Sequence, residues 1–436
     1  PPRGGAKQPG GIAPAALHPA SGAFRGASPA YYIMRQKEHV ALEMEKVAAR
    51  VGARVIWQGP PPPVGSSQPE FESAAALTWI QEKRNLPGSE WARDSVFVPA
   101  PNTLSYPCII DADAKAARAL IAAAVRRARH QRAKAVPQGR FPFGNQGAVA
   151  RHGDSYATAR LAAALGLQTR EDRTYLEGGN ILLGLDARGE RCAIVGQDSV
   201  AATRRAARLS VGRKLTKAGL RELIGEEVRV APRNVIFVEQ PGEFHLDMAM
   251  FWPEPGTLVI NDERRAFALR STWMRQDLDA AKPAADAPER AVWQARYQAA
   301  MQALKRSGRK ADHVAQFEDR VADHLRGRGF RVHRVAGRFD QHLFSRIDFM
   351  NEKDLGFEKL AANFLNVRTG VDAAKNTYAV VLNGTRRAEE HIAAEYARFF
   401  DHIYFIAEGR PGQTLVRGHG ALACLTQIAD TFTQRP

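Results

Sequence analysis

Apolar positions along the chain change repeatedly from helical spacing to strand spacing. Segments 38–58, 316–337 and 388–409 each begin with apolar residues at helical spacing and continue, after a glycine or polar break, into a strand-like run. Segment 155–184 repeats this order with a longer connection. The recurrence predicts one α/β body built from helix–strand units. Neither a P-loop nor a GxGxxG motif after a strand accompanies it, so nucleotide binding is not indicated.

Three stretches rich in proline, glycine or alanine interrupt this pattern. Residues 1–29 predict a flexible arm, and the four consecutive prolines within 58–70 predict an extended linker. Residues 278–289 predict a loop before a helix near 289–305. Because none of these breaks is long, we expect one domain over 30–436 behind the arm.

The net charge of +16 predicts a surface that attracts anions. No alternating basic and aromatic motif of a nucleic-acid-binding module is present, so nucleic acid is not an expected partner. No apolar run of about 18 residues is present, so no membrane partner is expected. Three cysteines fit free thiols and a cytoplasmic protein. The first residues, which lack a starting Met, also fit an exported effector or toxin excised from a longer chain. The sequence does not indicate which oligomeric state the protein adopts.

Acidic residues stand at or within two strand-like segments. Asp94 comes just before the apolar run 96–98, with Trp91 three residues earlier. Glu177 lies in the otherwise apolar stretch 175–184, which predicts a strand, and two glycines follow it. A buried carboxylate is costly without a partner, and strand glycines mark either a bulge or the close approach of a ligand or backbone. Glu177 therefore predicts a site as readily as a turn.

Three further reactive residues have unusual surroundings. His245 and Asp247 are two residues apart in a strand-like run, which predicts that both side chains lie on one face, ~7 Å apart. Cys424 lies among small residues at the end of a segment that resembles a strand entering a loop. Core cysteines usually pack among large apolar side chains, so we expect open space for a ligand beside Cys424.

Together these residues form a coherent chemical set. A thiolate is a nucleophile, a histidine transfers protons, and one carboxylate can orient the histidine. Two more carboxylates exceed the needs of a cysteine protease, whose substrate is neutral. They suit a planar guanidinium, whose five N–H donors pair with carboxylates in a forked geometry.

Four motifs in this order resemble the guanidino-group modifying enzymes: WARD at 91–94, LEGGN at 176–180, FHLDMAMF at 244–251 and GHGALACLTQ at 418–427. That family includes arginine, agmatine and peptidylarginine deiminases, dimethylarginine dimethylaminohydrolases and amidinotransferases. The local match is closest to agmatine deiminase, with features of the other two deiminases. The resemblance implies the pentein fold, a pseudo-fivefold α/β propeller of repeated ββαβ units.

The resemblance also implies a role for each residue of the set. Cys424 would attack the guanidinium carbon, and Asp94 and Asp247 would bind its nitrogens. His245 would protonate the leaving amine and then activate water, while Glu177 orients His245. Trp91 and Asn180 would contact the substrate. The intermediate would be a covalent S-alkylthiouronium, hydrolysed to a ureido product with release of ammonia, and neither metal nor organic cofactor would be needed.

The substrate remains open at this stage. His419 and Ala423 replace a glycine and a histidine of agmatine deiminase, and no single branch matches the residues that would recognise the rest of the substrate. A small guanidino compound and a protein arginine side chain are both compatible with the motifs. The alternatives are an amidinotransferase of the same fold and a basic binding protein that has lost the chemistry.

Overall fold

A computed structural model describes eleven ranges of the chain. They are 18–19, 30–35, 37–59, 75–81, 92–100, 103–108, 152–211, 214–240, 245–339, 362–407 and 422–430. Trp91, His419, most of the 1–29 arm and residues 60–70 of the proline-rich stretch lie outside these ranges. Predictions made for them are therefore not addressed by the structure.

Nine helices and nineteen strands occur in the described ranges. The helices are α1 Glu38–Val51, α2 Ala92–Ser95, α3 His152–Ala164, α4 Gln197–Val211, α5 Lys217–Val228, α6 Glu263–Ala280, α7 Arg290–Gly327, α8 Arg386–Tyr396 and α9 Leu422–Leu425. The strands are β1 His18–Pro19, β2 Tyr31–Arg35, β3 Arg54–Gly59, β4 Leu77–Gln81, β5 Phe97–Ala100, β6 Thr103–Tyr106, β7 Gln168–Glu171, β8 Ile181–Leu185, β9 Arg191–Gly196, β10 Val235–Val238, β11 Met250–Glu254, β12 Thr257–Asn261, β13 Arg331–Val335, β14 Arg338–Phe339, β15 Ala362–Asn363, β16 Arg368–Val371, β17 Thr377–Leu382, β18 His402–Ile406 and β19 Thr426–Asp430. Three 3-10 helices are also present: Gly178–Asn180, Pro232–Asn234 and Leu246–Met248.

Five sheets in the described part of the chain share one pairing scheme. In each, two strands pair antiparallel and a third pairs parallel to the second. The sets are β5-β6-β7, β8-β9-β10, β11-β12-β13, β16-β17-β18 and β19-β2-β3. A helix precedes each third strand, as a parallel connection requires. The prediction of an α/β fold made of small repeated sheets is confirmed.

The fifth of these sheets joins the two distant parts of the chain. β19 pairs with β2 between Thr426 and Met34, and β3 and β4 extend the sheet in parallel. On its other side β19 pairs antiparallel with the two residues of β1. The last described strand is therefore internal to a sheet whose other members all come from the first part of the chain.

Helix–strand succession follows the sequence pattern closely. The elements α1 to β3, α7 to β13 and α8 to β18 match three predicted segments, and α3 to β7 to β8 matches the fourth. The helix predicted near 289–305 and the one predicted at the start of 316–337 are a single helix, because α7 continues to Gly327. Its apolar residues keep helical spacing throughout and pack at Leu304, Val314 and Val321.

Hydrophobic clusters connect neighbouring sheets. One contains Val55 and Val380, and the next contains Val259 and Val381. A third joins Ile194 to Ile260, and a fourth joins Ile33 to Leu104. In a fifth, Phe97 of β5 packs against a cluster that includes Ile181 of β8 and Val195 of β9. Each cluster thus buries side chains from two sheets, which fixes the sheets against each other.

No described helix combines the length and the apolar character that a membrane crossing demands.

Candidate functional site

The four motifs supply residues to the same end of four strands. Asp94, Glu177, Asp247 and Cys424 each stand two to four residues before the antiparallel first strand of a sheet: β5, β8, β11 and β19. Asn366 holds the equivalent position before β16 in the remaining sheet. Each of the five sheets therefore contributes one polar side chain at the start of its first strand.

Cys424 lies in the centre of a polar cluster. Its Sγ is 3.6 and 3.5 Å from the two carboxylate oxygens of Asp247. It is 3.3 Å from Nδ2 of Asn366, which donates to it, and 3.9 Å from Sδ of Met248. The residue is only 2% exposed. The expectation of open space beside the sulfur stays a prediction, because Gly418, Gly420 and Ala421, on which it rests, lie outside the described residues.

His245 lies between two carboxylates. Its Nε2 is 2.9 Å from Oε2 of Glu177, within hydrogen-bond distance, and its Nδ1 is 3.7 Å from Oδ1 of Asp94. The latter distance is too long for a hydrogen bond but short enough for strong attraction between charges. Two carboxylates on opposite sides of one buried ring favour the imidazolium form.

The two glycines after Glu177 allow this arrangement. A Cβ on Gly179 would lie 2.4 Å from Nδ1 of His245, and a Cβ on Gly178 would lie 2.0 Å from the carbonyl oxygen of Arg93. The Gly179 N–H also donates to Oδ1 of Asp94 at 3.1 Å. The glycines form a turn and also allow the close approach of other groups, so both interpretations that the sequence allowed apply to them.

Two arginines surround the carboxylates and the thiol. Nη1 of Arg93 is 3.2 Å from Oδ2 of Asp247, and the same side chain donates to the carbonyl oxygens of Gly178 and Ile181 at 2.7 and 3.2 Å. Arg368 donates to Oγ1 of Thr426 and to the carbonyl oxygen of Ala423, the residue before Cys424. The cluster is thus a balanced group of cations and anions, as buried charges require.

Burial and charge shift the acid–base equilibria of these groups. Burial, followed by the charge of Asp247, raises the pKa of the Cys424 thiol to about 11, against a smaller lowering by His245. Burial alone would lower the pKa of His245, but Asp94, the thiol and Glu177 together raise it well above its usual value. Burial also raises the pKa of Asp247 and lowers that of Arg368 to about 9, the latter helped by Arg93. At neutral pH the resting pair is therefore a neutral thiol beside an imidazolium.

The local backbone differs from the predicted strands. Cys424 lies in α9, a single helical turn directly before β19, and not at the end of a strand. Glu177 precedes a 3-10 turn, and β8 begins only at Ile181. His245 and Asp247 also lie at a 3-10 turn, before β11, and not in a strand. Apolar neighbours made these turns look like strands, because the turns are buried along with the strands that they precede.

Asn180 does not join the cluster around Cys424 in the described residues. It is buried at the end of the turn after Glu177, where a Cβ on Gly196 would lie 2.1 Å from its Oδ1. Its position beside β9 indicates a packing role for the amide. The predicted contact with substrate remains a prediction for Asn180, as it does for Trp91.

His245, Asp247 and Cys424 could be considered as metal ligands. One potential ligand atom from each lies within 4.8 Å of the others, which resembles the spacing of a three-ligand zinc site. However, each ring nitrogen of His245 faces a carboxylate, and an imidazolium has no lone pair for a metal. Arg93 also approaches Asp247. The donor set therefore fits proton transfer better than metal binding.

A cavity of about 90 Å³ lies beyond the cluster, along the strands. Its wall includes Phe97 of β5, Leu182 of β8, Phe251 of β11, Thr369 of β16 and Ile428 of β19. Arg93, Asp247 and Arg368 also line it. The first strands of all five sheets therefore border one cavity.

Sequence reasoning missed three participants: Arg93, Asn366 and Arg368. Arg93 was visible inside the WARD motif, next to Asp94. Asn366 and Arg368 had a weaker signal, two polar residues around Val367 with no motif to draw attention to them.

Comparison with known proteins places the fold. No protein-family model matches the chain, and no curated protein sequence matches it. The structure of a candidate agmatine deiminase superposes with a TM-score of 0.52 at 12% identity, covering 95% of this chain and 96% of that one. The chain therefore shares the fold of that protein, and the identity is too low to transfer an activity.

Two further solved structures were found at lower similarity. The N-terminal domain of ArgZ, an arginine dihydrolase from cyanobacteria, has a TM-score of 0.37 at 10% identity and covers 91% of this chain and 96% of its own. DDAH from Pseudomonas aeruginosa, bound to citrulline, has a TM-score of 0.34 at 9% identity and covers 92% of this chain and 99% of its own. All three structures belong to guanidino-modifying enzymes of the pentein type, the group that the motifs resemble.

Proposed function

We propose that this protein is a cysteine-dependent hydrolase that deiminates a guanidino group. The observation that carries the proposal is the convergence of Cys424, His245 and Asp247, from two segments about 180 residues apart, with Asp94 and Glu177 around the histidine. A thiol, an imidazolium and three carboxylates are what hydrolysis of a cationic, planar substrate needs.

In the first half of the reaction, Asp94 and Asp247 bind the guanidinium nitrogens and direct its carbon toward Sγ of Cys424. Arg93 approaches Oδ2 of Asp247, so the substrate shares this carboxylate with Arg93. The thiol of Cys424 releases its proton to solvent, and the resulting thiolate forms a bond to the guanidinium carbon. The C–N bond to one amino group then breaks, and that nitrogen takes a proton from His245 and leaves as ammonia. The product of this half is an S-alkylthiouronium on Cys424.

In the second half, the neutral His245 accepts a proton from a water molecule that attacks the same carbon. The C–S bond breaks, the thiolate returns to Cys424, and the substrate leaves with a ureido group. Glu177, 2.9 Å from Nε2, keeps the ring oriented through both proton transfers and stabilises its charged form.

Substrate binding also explains how a thiol with a raised pKa becomes a nucleophile. Burial and Asp247 hold the pKa of Cys424 at about 11. A guanidinium placed on the carboxylates adds a positive charge within a few ångströms of the sulfur, which favours the thiolate. The nucleophile therefore forms mainly when its substrate is present.

We also propose that the five sheets surround one axis, as a pseudo-fivefold propeller within a single catalytic domain over 30–436. Hydrophobic clusters connect successive sheets, and one of them connects the sheet of β17 with that of β3. The first strands of all five line the same cavity. Both features support a closed ring.

The direct test is to incubate the protein separately with agmatine, free arginine and a folded protein that has exposed arginines. Ammonia and ureido product are measured, and intact-protein mass spectrometry looks for an adduct on Cys424. We expect ammonia from at least one substrate and no adduct in the Cys424→Ala variant. The substrate that is turned over distinguishes a small guanidino compound from protein arginine.

The same experiment separates the alternatives. An amidinotransferase would release the amine of the donor, not ammonia, and would form a new guanidino compound when an acceptor amine is added. A basic binding protein without chemistry would give neither product nor adduct with any of the three substrates.

A further inference from the structure

The side-chain amide of Asn366 connects the segment of Cys424 with the segment of Asp247. Its Oδ1 accepts the backbone N–H of Ala423 at 2.6 Å and that of Cys424 at 3.3 Å. Its Nδ2 donates to the carbonyl oxygen of Asp247 at 3.1 Å and to Sγ of Cys424 at 3.3 Å. An amide has two donors and two acceptor positions, so all four are occupied.

The orientation of this amide follows from its partners. Backbone N–H groups can only donate, so the two from Ala423 and Cys424 must face the oxygen. The carbonyl oxygen of Asp247 can only accept, so it must face the nitrogen. The N–H that points at the sulfur is therefore determined by the network, and the side chain is completely buried.

The position of Asn366 matches that of the other site residues. It comes two residues before β16, just as Cys424 comes two residues before β19. Arg368, the first residue of β16, contacts the same segment through Thr426 and the carbonyl oxygen of Ala423. Asn366 thus holds the equivalent position in the fifth sheet, and it hydrogen-bonds the sulfur without carrying a charge.

We propose that Asn366 stabilises the thiolate of Cys424 by donating a hydrogen bond to the sulfur, while it holds α9 at a constant distance from Asp247. The sulfur carries full negative charge before attack and again when the C–S bond breaks. A donor already aligned with it stabilises both states without reorganisation. The catalytic consequence rests on the proposed deiminase function, whereas the hydrogen bond to the thiolate does not.

The test uses Asn366→Asp, which has nearly the same shape. A carboxylate still accepts from the N–H groups of Ala423 and Cys424 but replaces the donor at the sulfur by an acceptor. The rate of alkylation of Cys424 by iodoacetamide is measured between pH 7 and 9.5, with the Cys424 peptide quantified by mass spectrometry. We expect the variant to react at least about tenfold more slowly at each pH, since less thiolate is present.

Asn363→Asp is the matched control. Asn363 is a second buried amide near Asp247, which donates to the carbonyl oxygen of Met248 at 2.9 Å and accepts the N–H of Leu365 at 3.0 Å. No hydrogen bond from it to Sγ of Cys424 is present in the described residues. We expect this variant to alkylate Cys424 within about twofold of the wild-type rate, since the thiolate keeps its donor.

The outcomes separate a specific role from a structural one. Equal slowing by both aspartate variants, or no slowing by Asn366→Asp, would overturn the proposal. If Asn366→Asp does not fold, Asn366→Ser removes the donor without adding a charge. Alkylation of Cys424 in that variant at the wild-type rate or faster would overturn the proposal. If the wild-type protein turns over no guanidino compound, the proposed function fails, and the alkylation rates still decide the role of Asn366.

Discussion

Two buried charged clusters in this protein differ in what they do: one connects elements of the fold, and the other surrounds a reactive thiol. Around Glu318, on α7, the carboxylate accepts from Asn261 Nδ2 and the Glu263 N–H at 2.8 Å, and from Arg334 Nη2 at 2.9 Å. Around Cys424, three carboxylates, a histidine and a thiol lie together, and the thiol has its pKa raised to about 11.

The Glu318 cluster satisfies each oxygen with a donor from another element, which connects α7 to β12 and the start of α6. The Cys424 cluster balances its carboxylates with His245, Arg93 and Arg368, but the charge of Asp247 still disfavours the thiolate. A cationic ligand on Asp247 would relieve that interaction. Buried charge alone does not indicate a functional site; shifted equilibria around a reactive atom are the better indication.

The largest expected effect is that of Cys424→Ala. We expect turnover to fall by a factor on the order of 10⁶ because the only proposed nucleophile is lost. The free energy of unfolding should change by less than about 1 kcal/mol, since a small side chain is replaced by one only slightly smaller. Steady-state ammonia release and chemical denaturation measure the two effects.

Cys108→Ala and Cys192→Ala are the controls for that comparison. Both thiols are buried in apolar clusters, Cys108 with Tyr175 and Cys192 with Ile194. Each variant should keep turnover within a few-fold of wild type. Loss of turnover in either one comparable to that of Cys424→Ala would mean that the nucleophile is wrongly assigned.

The next largest effect is expected for Glu318→Ala, which should lower stability and leave turnover unchanged. Removing the carboxylate takes the acceptor of the buried Glu263 N–H and one acceptor each from Arg334 and the Asn261 amide, which keep Asp319 and Glu263 as partners. We therefore expect a loss of about 1–3 kcal/mol in the free energy of unfolding. Turnover per folded molecule should be unchanged. Urea denaturation at low temperature gives the stability, and a variant as stable as wild type would contradict the structural role.

The pH dependence of that loss sharpens the test. Burial raises the pKa of Glu318 to about 7 in the folded protein, above its ordinary value. A carboxyl with a raised folded pKa stabilises most below its unfolded pKa and progressively less as pH rises through the folded value. The stability difference between wild type and Glu318→Ala should therefore shrink from pH 4.5 to pH 7.

A third, intermediate effect concerns the pH dependence of the reaction. With the thiol pKa at about 11 and that of His245 raised well above its usual value, the reactive thiolate–imidazolium form of the free enzyme increases with pH. We expect kcat/KM to rise about tenfold per unit between pH 6 and pH 8. The kcat profile should level off at lower pH, because bound substrate favours the thiolate. A maximum of kcat/KM near pH 6.5 would contradict these equilibria.

The smallest expected effect is that of metal removal. Treatment with EDTA and dialysis should leave turnover within about twofold, because His245 is held as an imidazolium between two carboxylates and cannot bind a metal in that form. Loss of turnover that added zinc restores would instead assign His245, Asp247 and Cys424 as metal ligands.

Much of this architecture was predictable from the spacing of apolar residues. The succession of helix and strand is local, so α1 to β3 and α8 to β18 were visible in the pattern. Glu177, His245 and Asp247 were recognised because they interrupt apolar runs, Asp94 because it precedes one, and Cys424 because its neighbours are small. All five lie in one connected group in the structure.

What could not be predicted depends on contacts between distant segments. The turns at Glu177 and His245 are buried by other sheets, so their apolar neighbours gave a false strand signal. Asn366 interacts with Cys424 across 58 positions of the chain, and nothing near it in sequence indicates a sulfur. Arg93 is separated from Asp247 by more than 150 positions, so its ion pair could not be foreseen either.

The pairing of β19 with β2 has a consequence for the order of events during synthesis. The nucleophile is synthesised after nearly all of its partners, and its strand pairs with residues that left the ribosome roughly 390 positions earlier. Chains fold from the N-terminus as they emerge, so β2 and β3 can pair before β19 exists. Until then the other edge of β2 has no partner strand. The thiol can meet its histidine and carboxylates only once α9 and β19 have been made, so a nascent chain that stops short of them lacks the complete cluster.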